Sequence, residues 1–94
     1  MSEVDPDRRP ALAKHVRMRM DPLTGEPVLL YPEGLVELNA TAHEVLSRCD
    51  GNTSLAGIIE ALAAEYEAPA DELRGDVLDC VAQLHARNLV VFAP

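Results

Sequence analysis

The 94-residue chain is short of most things that catalysis or nucleic-acid binding would need. It has only two cysteines, Cys49 and Cys80, 31 positions apart and with no histidine at ligand spacing. That excludes a zinc motif and a disulfide framework, and both thiols read as reduced core residues. Three histidines, His15, His43 and His85, are too far apart for a metal motif. No Gly-x-Ser-x-Gly, phosphate loop or paired-carboxylate motif occurs, so nothing marks an enzyme or a resident cofactor. Basic residues are scarce as well. Eight Lys and Arg oppose sixteen acids, and from residue 21 onward three Arg face thirteen acids, a net −10. A phosphate backbone is repelled by such a body, because nucleic-acid affinity comes largely from cations that displace condensed counterions. No apolar run approaches signal-peptide or membrane-span length, which leaves a cytoplasmic protein without a membrane partner as the expectation.

What is present is punctuation. Residues 1–13, with two prolines and mixed charge, show no period and read as a flexible tail; residues 14–94 read as one small domain. Lys14 to Met20 alternates, with Val16, Met18 and Met20 on one side, as in a half-buried strand. Asp21-Pro22-Leu23-Thr24-Gly25 supplies a turn, and Val28 to Tyr31, apolar throughout after Pro27, predicts a central strand. A second turn, Tyr31-Pro32-Glu33-Gly34, leads to a short third strand, Leu35-Val36-Glu37-Leu38. In a meander it lies at the sheet's edge, with one row of backbone groups unpaired.

Three helices follow. Asn39 caps the first, whose apolar positions Ala42, Val45, Leu46 and Cys49 form one stripe ended by Asp50-Gly51. Thr53 is the expected cap of the second, with Leu55, Ile58, Ile59, Leu62 and Tyr66 along one side. Pro69, with Asp71 and Glu72 in the first turn, opens the third, whose stripe is Leu73, Val77, Cys80 or Val81, and Leu84. Asn88 suits the position after its end, and Leu89 to Phe92 returns to the core. The order predicts an α+β fold, a small winged-helix-like domain with a three-stranded antiparallel sheet followed by three helices.

Asp71, Glu72, Asp76 and Asp79 form the densest acidic set. Two readings stand: a solvated face that keeps the domain soluble, or a groove in which Asp76 and Asp79, one turn apart, attract Lys or Arg of a partner. Leu78, off the core stripe, either joins a satellite cluster or stays available to a ligand.

Leu30-Tyr31-Pro32-Glu33-Gly34, Leu38-Asn39, Ala42 with Val45-Leu46, and Cys49-Asp50-Gly51-Asn52-Thr53 together resemble the PqqD family of pyrroloquinoline quinone (PQQ) biosynthesis, over residues 15–92. The resemblance implies a non-enzymatic peptide chaperone without an iron–sulfur cluster. Its implied partners are the precursor peptide PqqA and the radical S-adenosylmethionine enzyme PqqE, which joins a Glu and a Tyr of that peptide. Related recognition elements take a leader peptide as an extra strand on the third β-strand, beside the third helix. In this chain that implies Leu35, Val36, Glu37 and Leu38, together with Asp76, Leu78, Asp79, Ala82 and Gln83, the helix positions being assigned by facing alone. Two departures are visible: Thr53-Ser54-Leu55-Ala56-Gly57 lacks the acid of a capping box, and Asn88 stands where many relatives have Gly. The rival function is a winged-helix DNA-binding regulator, disfavoured by the acidic body. An open sheet edge and a swappable hairpin are compatible with a homodimer.

Overall fold

The computed structural model describes residues 5–93, in the order β1 Arg9–Leu12, β2 Arg17–Met20, β3 Pro27–Tyr31, β4 Gly34–Glu37, α1 Ala40–Leu46, α2 Leu55–Tyr66, α3 Ala70–Ala86 and β5 Val90–Ala93. The expected three-stranded antiparallel sheet is there, ordered β2-β3-β4, with β4 at one edge. So are the three helices behind it.

A second sheet is added. β1 and β5 pair antiparallel, Arg9 opposite Ala93 through Leu12 opposite Val90. Residues 5–13 are thus folded, against the flexible tail expected for 1–13; residues 1–4 of that stretch, and Pro94 of the expected domain, lie outside the described residues. The segment also serves α2. The backbone carbonyls of Pro6 and Arg8 accept from Ala56 N and Leu55 N, both at 2.9 Å. Those are first-turn N–H groups with no partner inside their own helix.

Local chemistry sets most boundaries. The Asn39 side chain caps α1 by accepting from Ala42 N at 2.7 Å. The helix closes at Leu46, earlier than its apolar stripe suggests, because Arg48 N and Cys49 N bond three residues back, to Val45 O and Leu46 O. That tighter turn ends α-geometry. Ser54, not Thr53, caps α2: its Oγ accepts from Gly57 N at 3.1 Å. Thr53 is engaged by Asp50, whose carboxylate accepts from Asn52 N at 2.8 Å and Thr53 N at 2.9 Å. These bonds, to Asn52 first, hold the Asp50 carboxyl below its ordinary pKa. Asn88 takes the left-handed conformation (φ 62°) that turns the chain from α3 towards β5.

The core is one cluster built from Leu29 of the sheet, Val45 and Leu46 of α1, Leu55, Ile58, Ile59 and Leu62 of α2, Val77, Val81 and Leu84 of α3, and Leu89 and Val90 beyond it. The choice left open on α3 resolves to Val81, which is fully buried, whereas Cys80 is half-buried. Two expected core positions are outside it. Met20 is 56% exposed, because it pairs with Pro27 at the turn end of the β2–β3 hairpin, and Tyr66 is 53% exposed in the last turn of α2. Arg48 ties α1 to α2 by bonding Glu44 at 3.0 Å and also Glu65.

Candidate functional site

β4 is short because Gly34 opens it at the close of a turn and Asn39 caps α1 just past its end. Within the three-stranded sheet β4 has a neighbour on one side only. Its register is Val28 opposite Glu37, Leu29 opposite Val36, Leu30 opposite Leu35 and Tyr31 opposite Gly34. Alternation puts Val36 on the face of buried Leu29 and of Met18, towards the core. Leu35 shares the other face with Leu30; these two side chains are 49% and 38% exposed.

A groove of about 490 Å³ lies beside this strand. Val36, Glu37, Leu38, Asn39, Thr41 and Ala42 form one wall; Asp76, Asp79, Cys80, Gln83, Leu84 and Arg87 form the other. The second wall is one helical stripe, since 76, 79/80, 83 and 87 recur every three or four residues. Of the residues expected from sequence, Val36, Glu37, Leu38, Asp76, Asp79 and Gln83 meet here. Leu35, Leu78 and Ala82 are not among the lining residues.

Leu78 is half-buried and packs against the core cluster. The reason is angular: at about 100° per residue it sits about 200° around the helix from Asp76 and cannot share its face. Ala82 is half-buried and Leu35 projects from the outer face of the sheet.

Arg87 was not anticipated, although it extends the stripe one turn beyond Gln83, a signal visible in the spacing. It follows the last residue of α3, and its Nη2 donates to the Tyr31 hydroxyl at 3.2 Å. Asn39 and Ala42, read as cap and helix residues, also line the groove, as does Thr41; they do so because α1 starts at the end of β4.

The groove is amphipathic and unevenly charged. Glu37, Asp76 and Asp79 carry acid and Arg87 carries base. Among the described residues both salt bridges belong to Arg48, away from the groove, so these groove charges have no ion-pair partner. Cys80 lies in the wall, and burial raises its thiol pKa above the ordinary value. Cys49 behind it is pushed up to about 12, chiefly by burial, then by Cys80 and Asp50 nearby. Both thiols stay protonated at neutral pH and make poor nucleophiles. The His85 ring is taken up structurally, Nδ1 lying 3.0 Å from Val90 O and the ring 4.7 Å from that of Phe92. Among the described residues no group of three or more His, Cys, Asp or Glu is placed to hold a metal ion. No described helix is long and apolar enough to cross a membrane. An open strand edge beside a partly apolar groove is suited to holding an extended chain by backbone hydrogen bonds, with the groove selecting side chains.

The chain is similar to known proteins. The chain is 42% identical over 90 residues to a PqqA binding protein of Xanthomonas axonopodis pv. citri, covering 96% of this chain and 98% of that one. A PqqA binding protein of Xanthomonas oryzae pv. oryzae is 41% identical over the same coverage. Among solved structures, the PqqD truncation of Methylobacterium extorquens PqqCD, determined by solution NMR and described as a functional, stand-alone recognition element for ribosomally synthesised and post-translationally modified peptides, superposes with a TM-score of 0.81 at 29% identity. It covers 96% of this chain and 95% of its own. The crystal structure of PqqD from Xanthomonas campestris is 42% identical with a TM-score of 0.59, over 92% of this chain and 96% of that one. The profile of the family described as coenzyme PQQ synthesis protein D matches residues 26–90. With that match and these full-length relatives, the chain belongs to the PqqD family.

Proposed function

We propose that this protein is a cytoplasmic, non-enzymatic chaperone that binds PqqA as an added antiparallel strand on β4 and presents it to PqqE. The observation that supports this most is the coincidence of an open β4 edge with a groove walled by α3, in a chain whose relatives are named for binding PqqA. The same edge is open to a second copy of the chain, and the two occupants exclude each other. DNA binding remains disfavoured by the net −10 of residues 21–94.

Presentation is tested with reconstituted PqqE at low peptide concentration. Cross-linking of the Glu and Tyr is expected to depend on added protein, while PqqA incubated with this protein alone keeps its mass. PqqE turning over equally well without it would end the presenting role.

Docking has an internal reporter in Cys80. Its raised pKa delays thiolate formation, so alkylation at pH 8 is expected to be slow at Cys80 and slower still at Cys49, whose pKa is about 12. Saturating PqqA is expected to cut the Cys80 rate at least severalfold further. An unchanged Cys80 rate in the peptide-saturated protein would place the peptide outside the groove.

A further inference from the structure

The fixed charges of the groove give its occupant a direction and a spacing. Arg87 marks one end. Its guanidinium lies 3.2 Å from the Tyr31 hydroxyl, Tyr31 pairs with Gly34, and a Cβ on Gly34 would stand 3.6 Å from that same hydroxyl. Arg87 therefore sits at the start of β4. Asp76 and Asp79 lie two to three turns earlier on α3, without an ion-pair partner among the described residues.

From midway between the two acids to Arg87 is about nine or ten residues of helix, which at about 1.5 Å each is about 14 Å. Running alongside α3, an extended chain that advances about 3.3 Å per residue would cover that length in about four residues. Side chains on one face of a strand recur at even spacing, and four satisfies this condition. An occupant antiparallel to β4 runs from the Glu37 end to the Gly34 end, and so reaches Arg87 last.

We infer that the segment docked on β4 presents to α3 a Lys or Arg, held between Asp76 and Asp79, followed four residues later by an Asp or Glu that meets Arg87. The inference rests on strand docking at β4 and goes beyond it by naming the recognised chemistry. It also assigns Arg87 a role in selecting the peptide. Charges of both signs at opposite ends of one groove, without an ion-pair partner among the described residues, favour this dipolar segment over a uniformly basic one, which Arg87 would repel.

Double-mutant cycles provide the test. The protein arms are Asp76→Asn with Asp79→Asn, and Arg87→Gln. The peptide arms are synthetic PqqA with each Lys or Arg changed singly to Gln, each Asp to Asn and each Glu to Gln. Affinities are measured by titration calorimetry at low and high salt. Each protein change is expected to weaken binding by about three- to fivefold, less at high salt, and to have no further effect on the one peptide that lacks its partner charge. The acid-pair variant should couple to a base, and Arg87→Gln to an acid four residues nearer the C-terminus. Loss of the Tyr31 contact in Arg87→Gln is common to all peptides and cancels in the cycle. No coupled pair, the reverse order or another spacing would overturn the charge register. If PqqA still binds and still slows Cys80 alkylation in that case, strand docking survives; if unaltered PqqA does not bind, both readings fall together.

Discussion

Methylating the backbone nitrogens of PqqA one at a time is expected to weaken binding at alternate residues of the docked segment and to leave the residues between them nearly unaffected. A strand added to β4 turns every second N–H towards it and the others away. Each bond exchanged for water contributes only about 0.5–1.5 kcal/mol net. A methyl group does more than delete that bond, since it intrudes between chains about 4.8 Å apart. The combined loss at a sensitive position is about tenfold or more in affinity. A uniform loss along the peptide, or sensitivity at consecutive residues, would be incompatible with strand addition. Leu78→Ala supplies the contrast: its side chain packs on the core and does not line the groove, so it should lower the melting temperature and leave affinity within twofold.

The second large effect concerns the segment that looked dispensable. Removing residues 1–12 is expected to unfold the protein or to lower its melting temperature by about 20 °C or more. The deletion takes away β1, the carbonyls of Pro6 and Arg8 that serve the first turn of α2, and the Pro10 carbonyl that accepts from Gly51 N at 2.9 Å. Fully buried Pro10 goes too, with Arg8, whose guanidinium stands 4.5 Å over the Phe92 ring. At about 1 kcal/mol per hydrogen bond, leaving the N–H groups of Leu55, Ala56 and Gly51 to find water costs about 3 kcal/mol, to which the loss of the β1–β5 pairing and of the burial of Pro10 adds. Whole-domain stability is about 5–15 kcal/mol, so little margin remains. Urea and thermal unfolding of the two chains side by side decide the matter. A truncated chain melting within about 2 °C of the intact one would show that β1 is ornamental.

These two experiments bear on what was legible in the residues. The caps and turns were, because their chemistry spans three or four positions: Asn39 bonds Ala42 N, and Asn88 adopts the positive φ that its place requires. The helix stripes were too, since apolar side chains at helical spacing must share a face wherever the helix lies. Part of the groove was legible too. The edge strand gave Val36, Glu37 and Leu38, and the acidic turn of α3 gave Asp76 and Asp79. Choosing Ser54 over Thr53 as the cap was harder, because the adjacent Asp50 competes for Thr53 and two neighbouring hydroxyls offer the same chemistry.

The sequence by itself therefore determined the three helices, the β2–β3–β4 meander, the acidic body and the family resemblance. Each depends on residues close together in the chain or on the pattern of the whole. Tertiary structure alone decided the rest. Arg9-Pro10-Ala11-Leu12 is too short, charged and proline-bearing to declare itself a strand, and it becomes one only because β5, about eighty residues later, supplies the pairing partner. Arg87 joins the groove because Tyr31 of a distant strand holds its guanidinium there, and Leu78 leaves it because the core claims its side chain. In each case the deciding contact links residues far apart in sequence, so its free energy exists only once the chain has closed around it.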